Sequence, residues 1–258
     1  MVKPARLALR VPVLDFAEGF EFSAKTYRSA LLACGAAGCA PLFMPGLIAA
    51  RNSAGADDLF WKGAFTSASI RARGKTKRGR HVVVYSHMAN YLGLPDNLPD
   101  CVKEEIDMPQ VEFQNLADSA DGKSIFVVDI SERTQSKADV VTLDDALKHP
   151  QTIPFIGDKD CAVLYFHKHK EIYGNRIGLW FRNDVGVSPV ARFLNLGGNG
   201  SDGLGGYPGD DCMFVGVRKS GGPDKPAPTL DKILDASGDF VAAYAKEEFE
   251  RRLRDLYR

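Results

Sequence analysis

The amino-acid sequence predicts an α+β fold: a mixed or largely antiparallel sheet packed against an apolar amino-terminal helical segment and an amphipathic carboxy-terminal helix. Three observations carry that prediction. No side chain between Arg28 and Arg51 is charged, and a run that apolar leaves water for the interior of a fold or for lipid. Segments with strand patterning recur from Leu7 to Arg218 without the regular alternation with helices that a doubly wound sheet requires. Residues 239–258 place Val241, Tyr244, Ala245, Phe249, Leu253 and Leu256 at helical spacing. The expected division is an α+β core of residues 1–228 and a helical segment of residues 229–258 packed on it.

Residues 6–13 alternate, with Leu7, Leu9, Val11 and Val13 on one face, and Pro12 marks this strand as an edge or as an early end to its ladder. In the uncharged run, Pro41 and Pro45 each remove a backbone donor. That favours a buried helix pair, about Ser23–Ala40 and then Pro45–Ala50, over one membrane-crossing helix. Asn52–Asp58 reads as loop and Phe60-Trp61 as a core anchor. Thr66–Arg73 and His81–His87 form a hairpin around Gly74–Gly79. Val111–Leu116 and Ile125–Ile130 read as further strands, separated by the turn Asp121-Gly122. Thr142-Leu-Asp-Asp145 fits a capping box and starts a short helix that His149-Pro150 ends. Cys161–His167, Arg176–Phe181 and Val190–Leu196 read as strands, the first two as a hairpin, and Met213–Arg218 as one more before the linker Gly221–Pro228.

Lys+Arg 33 against Asp+Glu 33 gives no net charge, so any attraction to a polyanion must be local. Cysteines 34, 39, 101, 161 and 212 contain no CxxC pair, which favours reduced thiols in a cytoplasmic compartment over a disulfide framework. Cys161 and Cys212 are conceivable nucleophiles, but nothing in local sequence singles out either, and Cys161, opening an apolar strand, reads as a small core residue.

The densest charge of one sign is the hairpin set Arg71, Arg73, Lys75, Lys77, Arg78 and Arg80, followed by His81. A two-stranded ribbon with a basic tip can lie along phosphates, each of which releases a counterion when neutralised. No aromatic is interleaved at the tip for base stacking, and a solvated mobile loop is the alternative.

The stretch Gly197-Gly-Asn-Gly-Ser-Asp202-Gly-Leu-Gly205 matches the nonapeptide pattern G-G-x-G-x-D-x-U-x. Gly206–Phe214, carrying Asp211, follows in the same register with Tyr207 in place of glycine. These residues resemble the calcium-binding repeat of RTX proteins, which implies tight glycine turns with Asp202 and Asp211 as calcium ligands. A flexible loop and a backbone anion nest are the competing readings.

His167-Lys-His169, on one face of a continuing strand, would form a metal-ligand pair with Glu171 two residues further on. The leading expectation is therefore a nucleic-acid (polyanion) binding protein, either free or a subunit of a nucleoprotein assembly. It would use the basic hairpin and the glycine-rich loop, with protein partners or a homo-oligomer and no membrane. The alternatives are a divalent-metal-dependent hydrolase around His167 and His169 and a calcium-stabilised structural or interaction module.

Overall fold

In the computed structural model, which describes residues 5–7, 16–24, 26–88, 90–98, 105–131, 137–184, 186–198, 203–205 and 212–219, the uncharged run breaks where its prolines stand. Strand β1 (Ala5–Leu7) pairs antiparallel with β2 (Phe16–Ala24), and Thr26 then caps helix α1 (Tyr27–Ala36) by accepting the Ser29 N–H at 3.1 Å. Pro41 lies in the two-residue strand β3 (Ala40–Pro41). Pro45 stands in the first turn of α2 (Met44–Ser53), where its missing N–H costs nothing. The expected helix from Ser23 to Ala40 is thus shorter at both ends. The run is interior on one side: Ala30, Cys34, Met44, Leu47, Ile48 and Ala50 are at most 1% exposed, while Leu32, Gly35, Ala36, Gly38 and Ala40 are exposed. Among the described residues no helix is long and apolar enough to cross a membrane.

Asp58 caps the short helix α3 (Leu59–Lys62), which buries Phe60 and Trp61 as the sequence leads one to expect. Then come β4 (Phe65–Lys75) and β5 (His81–Ser86), the expected hairpin, with Ile70 opposite Ser86 and Lys75 opposite His81. After β6 (Ile106–Asp107), residues expected as a strand form α4 (Gln110–Asp118). Phe113, Leu116 and Ala117 face inward at helical spacing while Val111 is exposed, so the apparent alternation of Val111 and Phe113 is incidental. Strand β7 (Ile125–Asp129) follows a turn in which the Asp121 carboxylate accepts the N–H groups of Lys123, Ser124 and Ile125, each at 2.8 Å. Beyond β8 (Lys137–Thr142), Thr142 caps α5 (Leu143–Lys148), and its hydroxyl donates to Asp145 at 2.8 Å.

After α6 (Thr152–Ile156), a second expected strand, Cys161–His167, is part of the helix α7 (Lys159–Tyr173). Six consecutive apolar residues fit a strand or a helix equally well. Asp158, which accepts the Cys161 N–H at 2.7 Å, and Gly174 at φ +87 decide for the helix. Consequently β9 (Arg176–Phe181) pairs with β8 rather than with residues 161–167. Strands β10 (Val190–Leu196) and β11 (Cys212–Lys219) complete the chain as described. The linker 221–228, the helical tail 229–258 and residues 8–13 of the expected first strand lie outside the described residues.

Nine strands form one mostly antiparallel sheet in the path β1-β2-β11-β4-β10-β6, with β3 on β11, β5 on β4 and β7 on β5; β8 and β9 form a separate pair. The eleven-residue β4 is its trunk: β10 runs along one edge, while β11 meets it at Thr66 and β5 from Ile70 onward. One face carries Ile70, Ala72, Val82, Val84, Ala191 and Phe193 beneath α1 and α4. The other carries Val83, Tyr85 and Leu194 beneath α2, α3, α5, α6, α7 and β9. The mixed α+β class stands, but the amino-terminal helix pair is split, with α1 on one face of the sheet and α2 in the covering layer of the other, and the expected carboxy-terminal helix lies outside the described residues.

Residues Gly203–Gly205 couple the two sheets. Leu204 donates to the Gly178 carbonyl at 2.9 Å and accepts from the Trp180 N–H at 3.0 Å, while Gly205 donates to the Asn195 carbonyl at 3.0 Å. A Cβ on Gly198 would stand 2.4 Å from the Lys62 carbonyl oxygen, so this position admits only glycine. Gly198→Ala is expected to destabilise the protein by about 2 kcal/mol or more. Gly35→Ala, with nothing near the new methyl inside α1, is expected to add roughly 0.5 kcal/mol. Urea midpoints of the two variants check both signs.

Candidate functional site

The hairpin that concentrates basic residues divides at its covered edge. Lys75, Lys77, Arg78 and Arg80 are exposed around a turn closed by the Thr76 N–H on the Arg80 carbonyl at 2.9 Å. The tip is tied to α4, because Gln114 accepts the Lys77 N–H at 2.8 Å and Gln110 donates to the Lys75 carbonyl at 3.0 Å. Arg71 and Arg73, by contrast, are 3% and 8% exposed and point under the second layer. The six residues expected as one phosphate-binding surface are therefore four surface cations and two internal ones.

The internal pair belongs to a polar row set by strand register. Arg192 on β10 stands opposite Arg71 on β4, which stands opposite Tyr85 on β5. Paired residues share a face, so these side chains lie side by side. Arg71 donates to the Tyr85 hydroxyl at 3.3 Å, to Gln151 Oε1 at 3.4 Å, to Asn183 Oδ1 at 2.6 Å and to the Arg182 carbonyl. Tyr85 donates to Gln151 Oε1 at 2.6 Å, and Gln151 passes its own N–H to Asn183 Oδ1 at 3.0 Å. Burial raises the Tyr85 pKa, which keeps its hydroxyl a donor. Arg73 reaches the Arg182 carbonyl at 3.2 Å and Glu105 at 2.6 Å. Arg192 donates to the carbonyls of Gly205 at 2.6 Å and Trp180 at 3.4 Å. The row thus grips the end of β9 and the start of the loop that follows it.

That loop forms the most open surface of the neighbourhood. Arg182, Asp184, Gly186, Val187 and Ser188 are exposed, Val187 completely. Beside it Tyr91, Asp107, Met108, Gln110, Val187 and Ser188 line a cleft of about 580 Å³. Asp107, Val190 and Arg73 are successive partners across β6, β10 and β4, which places the cleft at the sheet edge about 10 Å from the arginine row. Sequence reasoning missed this surface. Its parts lie near residues 91, 107–110 and 182–189, and the turn chemistry of Asn183–Pro189 was the sole local signal.

The histidine set does not assemble. On α7, His167 is exposed and pairs with Glu171 at 3.5 Å, whereas His169 is 1% exposed among Tyr165 and Tyr173. Positions two apart on a helix point in widely different directions, so the metal-ligand pair and the hydrolase built on it are overturned. Among the described residues no three His, Cys, Asp or Glu side chains converge on a possible metal. Asp202 and Asp211 lie outside the described residues, and the described part of the glycine stretch is bound to the sheets rather than free. Cys161 is no activated nucleophile: burial and the neighbouring Asp158 raise its pKa.

Two buried imidazoles are held neutral. Burial lowers both His87 and His169 to about 4, and the Arg51 charge adds to the effect at His169. His87 Nε2 faces the Pro154 carbonyl at 2.8 Å, which can only accept, so that nitrogen carries the proton. The Ser69 hydroxyl then donates to Nδ1 at 2.9 Å while accepting the Met44 N–H at 2.7 Å.

No family model matches the chain, and no curated protein matches it. A solved structure, described as the accommodation of massive sequence variation in Nanoarchaeota by the C-type lectin fold, is 39% identical with a TM-score of 0.68. The match covers 78% of this chain and 97% of that one. The likeness points to a lectin-like interaction module and overturns the expectation of a nucleic-acid binding protein or nucleoprotein subunit acting through its basic hairpin.

Arg71→Met is expected to cost about 3 kcal/mol by stranding its acceptors. Glutamine at Lys75, Lys77, Arg78 or Arg80 is expected to stay within roughly 0.5 kcal/mol of the parent, and chemical denaturation separates the two classes. For the imidazoles, the unfolded chain gains protons near 6.5 and the folded one only near 4. Stability is therefore complete above 6.5 and falls as pH drops toward 4. Urea midpoints across that window are expected to fall more steeply for the parent than for His169→Phe.

Proposed function

This chain belongs to the C-type lectin fold family, and on that premise we propose that it is an interaction module. Its recognition surface is the rim formed by residues 182–188 and the cleft beside Tyr91, Met108 and Gln110. The partner is a protein or a glycan. One observation carries the reading: Arg182, Asp184, Gly186, Val187 and Ser188 are exposed, yet the loop's root is fixed by hydrogen bonds from Arg71 and Arg73 to the Arg182 carbonyl and from Arg71 and Gln151 to Asn183. Binding residues displayed on loops and positioned by a rigid scaffold are the usual arrangement of a recognition site. The cleft volume of about 580 Å³ falls among those of ligand pockets, roughly 300–1,000 Å³. The neighbouring structure's fold is described as accommodating massive sequence variation. Separation of rim from scaffold supports the same tolerance here, because Val187 and Ser188 contribute little to the interior. Calcium is a candidate cofactor, supported by the nonapeptide pattern carrying Asp202 and Asp211.

The test joins a printed glycan array and a protein-display selection, read with the parent and with the double variant Tyr91→Ala, Val187→Asp. Specific binding by the parent and its loss in a variant that melts within about 2 °C of it is the expected result. An unchanged binding profile in the variant removes the rim from the reading. A calcium-dependent rise in melting temperature, lost in Asp202→Ala, Asp211→Ala, is expected if those aspartates hold the ion, and no rise removes calcium.

A further inference from the structure

Among the described residues, the polar row beneath the rim holds more positive charge than its partners return. There Arg71 hydrogen-bonds to neutral acceptors, namely Tyr85, Gln151, Asn183 and the Arg182 carbonyl. Arg192 likewise meets the carbonyls of Trp180 and Gly205. Among the described residues, Glu105 on Arg73 is the one carboxylate hydrogen-bonded to any of the three guanidiniums. Asp184 acts on Arg73 from an exposed position and makes no such bond.

The same row holds donors left over. Arg73 Nε, Arg192 Nε and Asn183 Nδ2 are buried and have no hydrogen-bond partner among the described residues. All three are N–H groups, so what would satisfy them is an acceptor. Asn183 cannot turn its amide to help, since its Oδ1 already receives Arg71 and Gln151. Buried donors left unsatisfied cost about 1–3 kcal/mol each, and buried charge without a partner costs more. Burial, and next the adjacent Arg71 charge, lowers the pKa of Arg192, so its charged form is disfavoured where it stands.

We propose that the row Arg71–Arg73–Arg192, with Asn183, is a binding site for a small carboxylate anion. A carboxylate supplies two oxygens with about four acceptor positions in one plane, which suits guanidinium forks and an amide N–H. A neutral sugar or water supplies acceptors but leaves the charge uncompensated. The site lies beneath the rim and shares Asn183 with its root, but it is built by the scaffold of the free protein, so its presence does not depend on partner recognition.

Acetate is the probe, with chloride at equal ionic strength as the reference. Acetate is expected to raise the melting temperature saturably, by about 3 °C at ten times its dissociation constant. Asn183→Asp keeps the acceptor for Arg71 and Gln151 and adds a fixed negative charge. It is expected to melt higher than the parent in chloride and to lose the acetate-dependent rise. Equal melting in acetate and chloride overturns the proposal, as does an Asn183→Asp protein that retains the acetate rise. If Asn183→Asp does not fold, Glu105→Gln decides: freeing Arg73 is expected to enlarge the acetate rise, and an unchanged or smaller rise overturns the site.

Discussion

A guanidinium placed inside a sheet-covered face needs acceptors for its N–H groups, and Arg71 finds four of them in three separate parts of the chain. Tyr85 lies on β5, Gln151 just before α6, and Arg182 and Asn183 beyond β9. Hydrogen bonds to a charged donor contribute about 1.5–3 kcal/mol each, against a desolvation cost of several kcal/mol. The net effect on stability is therefore modest. The effect on geometry is large, because any shift of the small sheet relative to β4 would strand a charge. Position, more than energy, is what this interaction fixes.

The remaining architecture distributes work between two faces. The face under α1 and α4 is apolar and closely packed, with Tyr27, Phe193 and Phe214 meeting edge to face. The opposite face mixes apolar packing with directional contacts: the arginine row, the Met44–Ser69–His87–Pro154 chain, and Arg51, which lies over Trp61 and donates to the carbonyls of Gly197 and Gly63 at 2.7 and 2.9 Å. Non-directional packing stabilises one side. Directional bonds on the other set where the surface loops leave the sheet, which is the side a recognition module has to control.

Much of the fold was legible from local pattern, and the failures share one cause. The β4–β5 hairpin, the Thr142 cap and the buried anchor Phe60-Trp61 depend on neighbours in sequence, and each is found as read. Residues 161–167 were misassigned because an unbroken apolar run carries no period, although Asp158 and Gly174 marked the helix ends. Arg71 and Arg73 looked like surface charge. What buries them arrives from residues 150 and 180, and no local feature of β4 announces a second covering layer. The rim was invisible for the same reason, since it joins segments near 91, 107 and 187.

The glycine stretch is closed at its base, where the Gly197 N–H meets the Gly203 carbonyl at 2.8 Å just before Leu204 and Gly205 rejoin the sheets. Strand register on either side is then indifferent to how many residues are enclosed. Each doubling of an enclosed length costs only about 0.6 kcal/mol in chain entropy. Insertions between Gly198 and Gly203 can thus accumulate through descent at little thermodynamic penalty, making this the place where related chains should differ most in size.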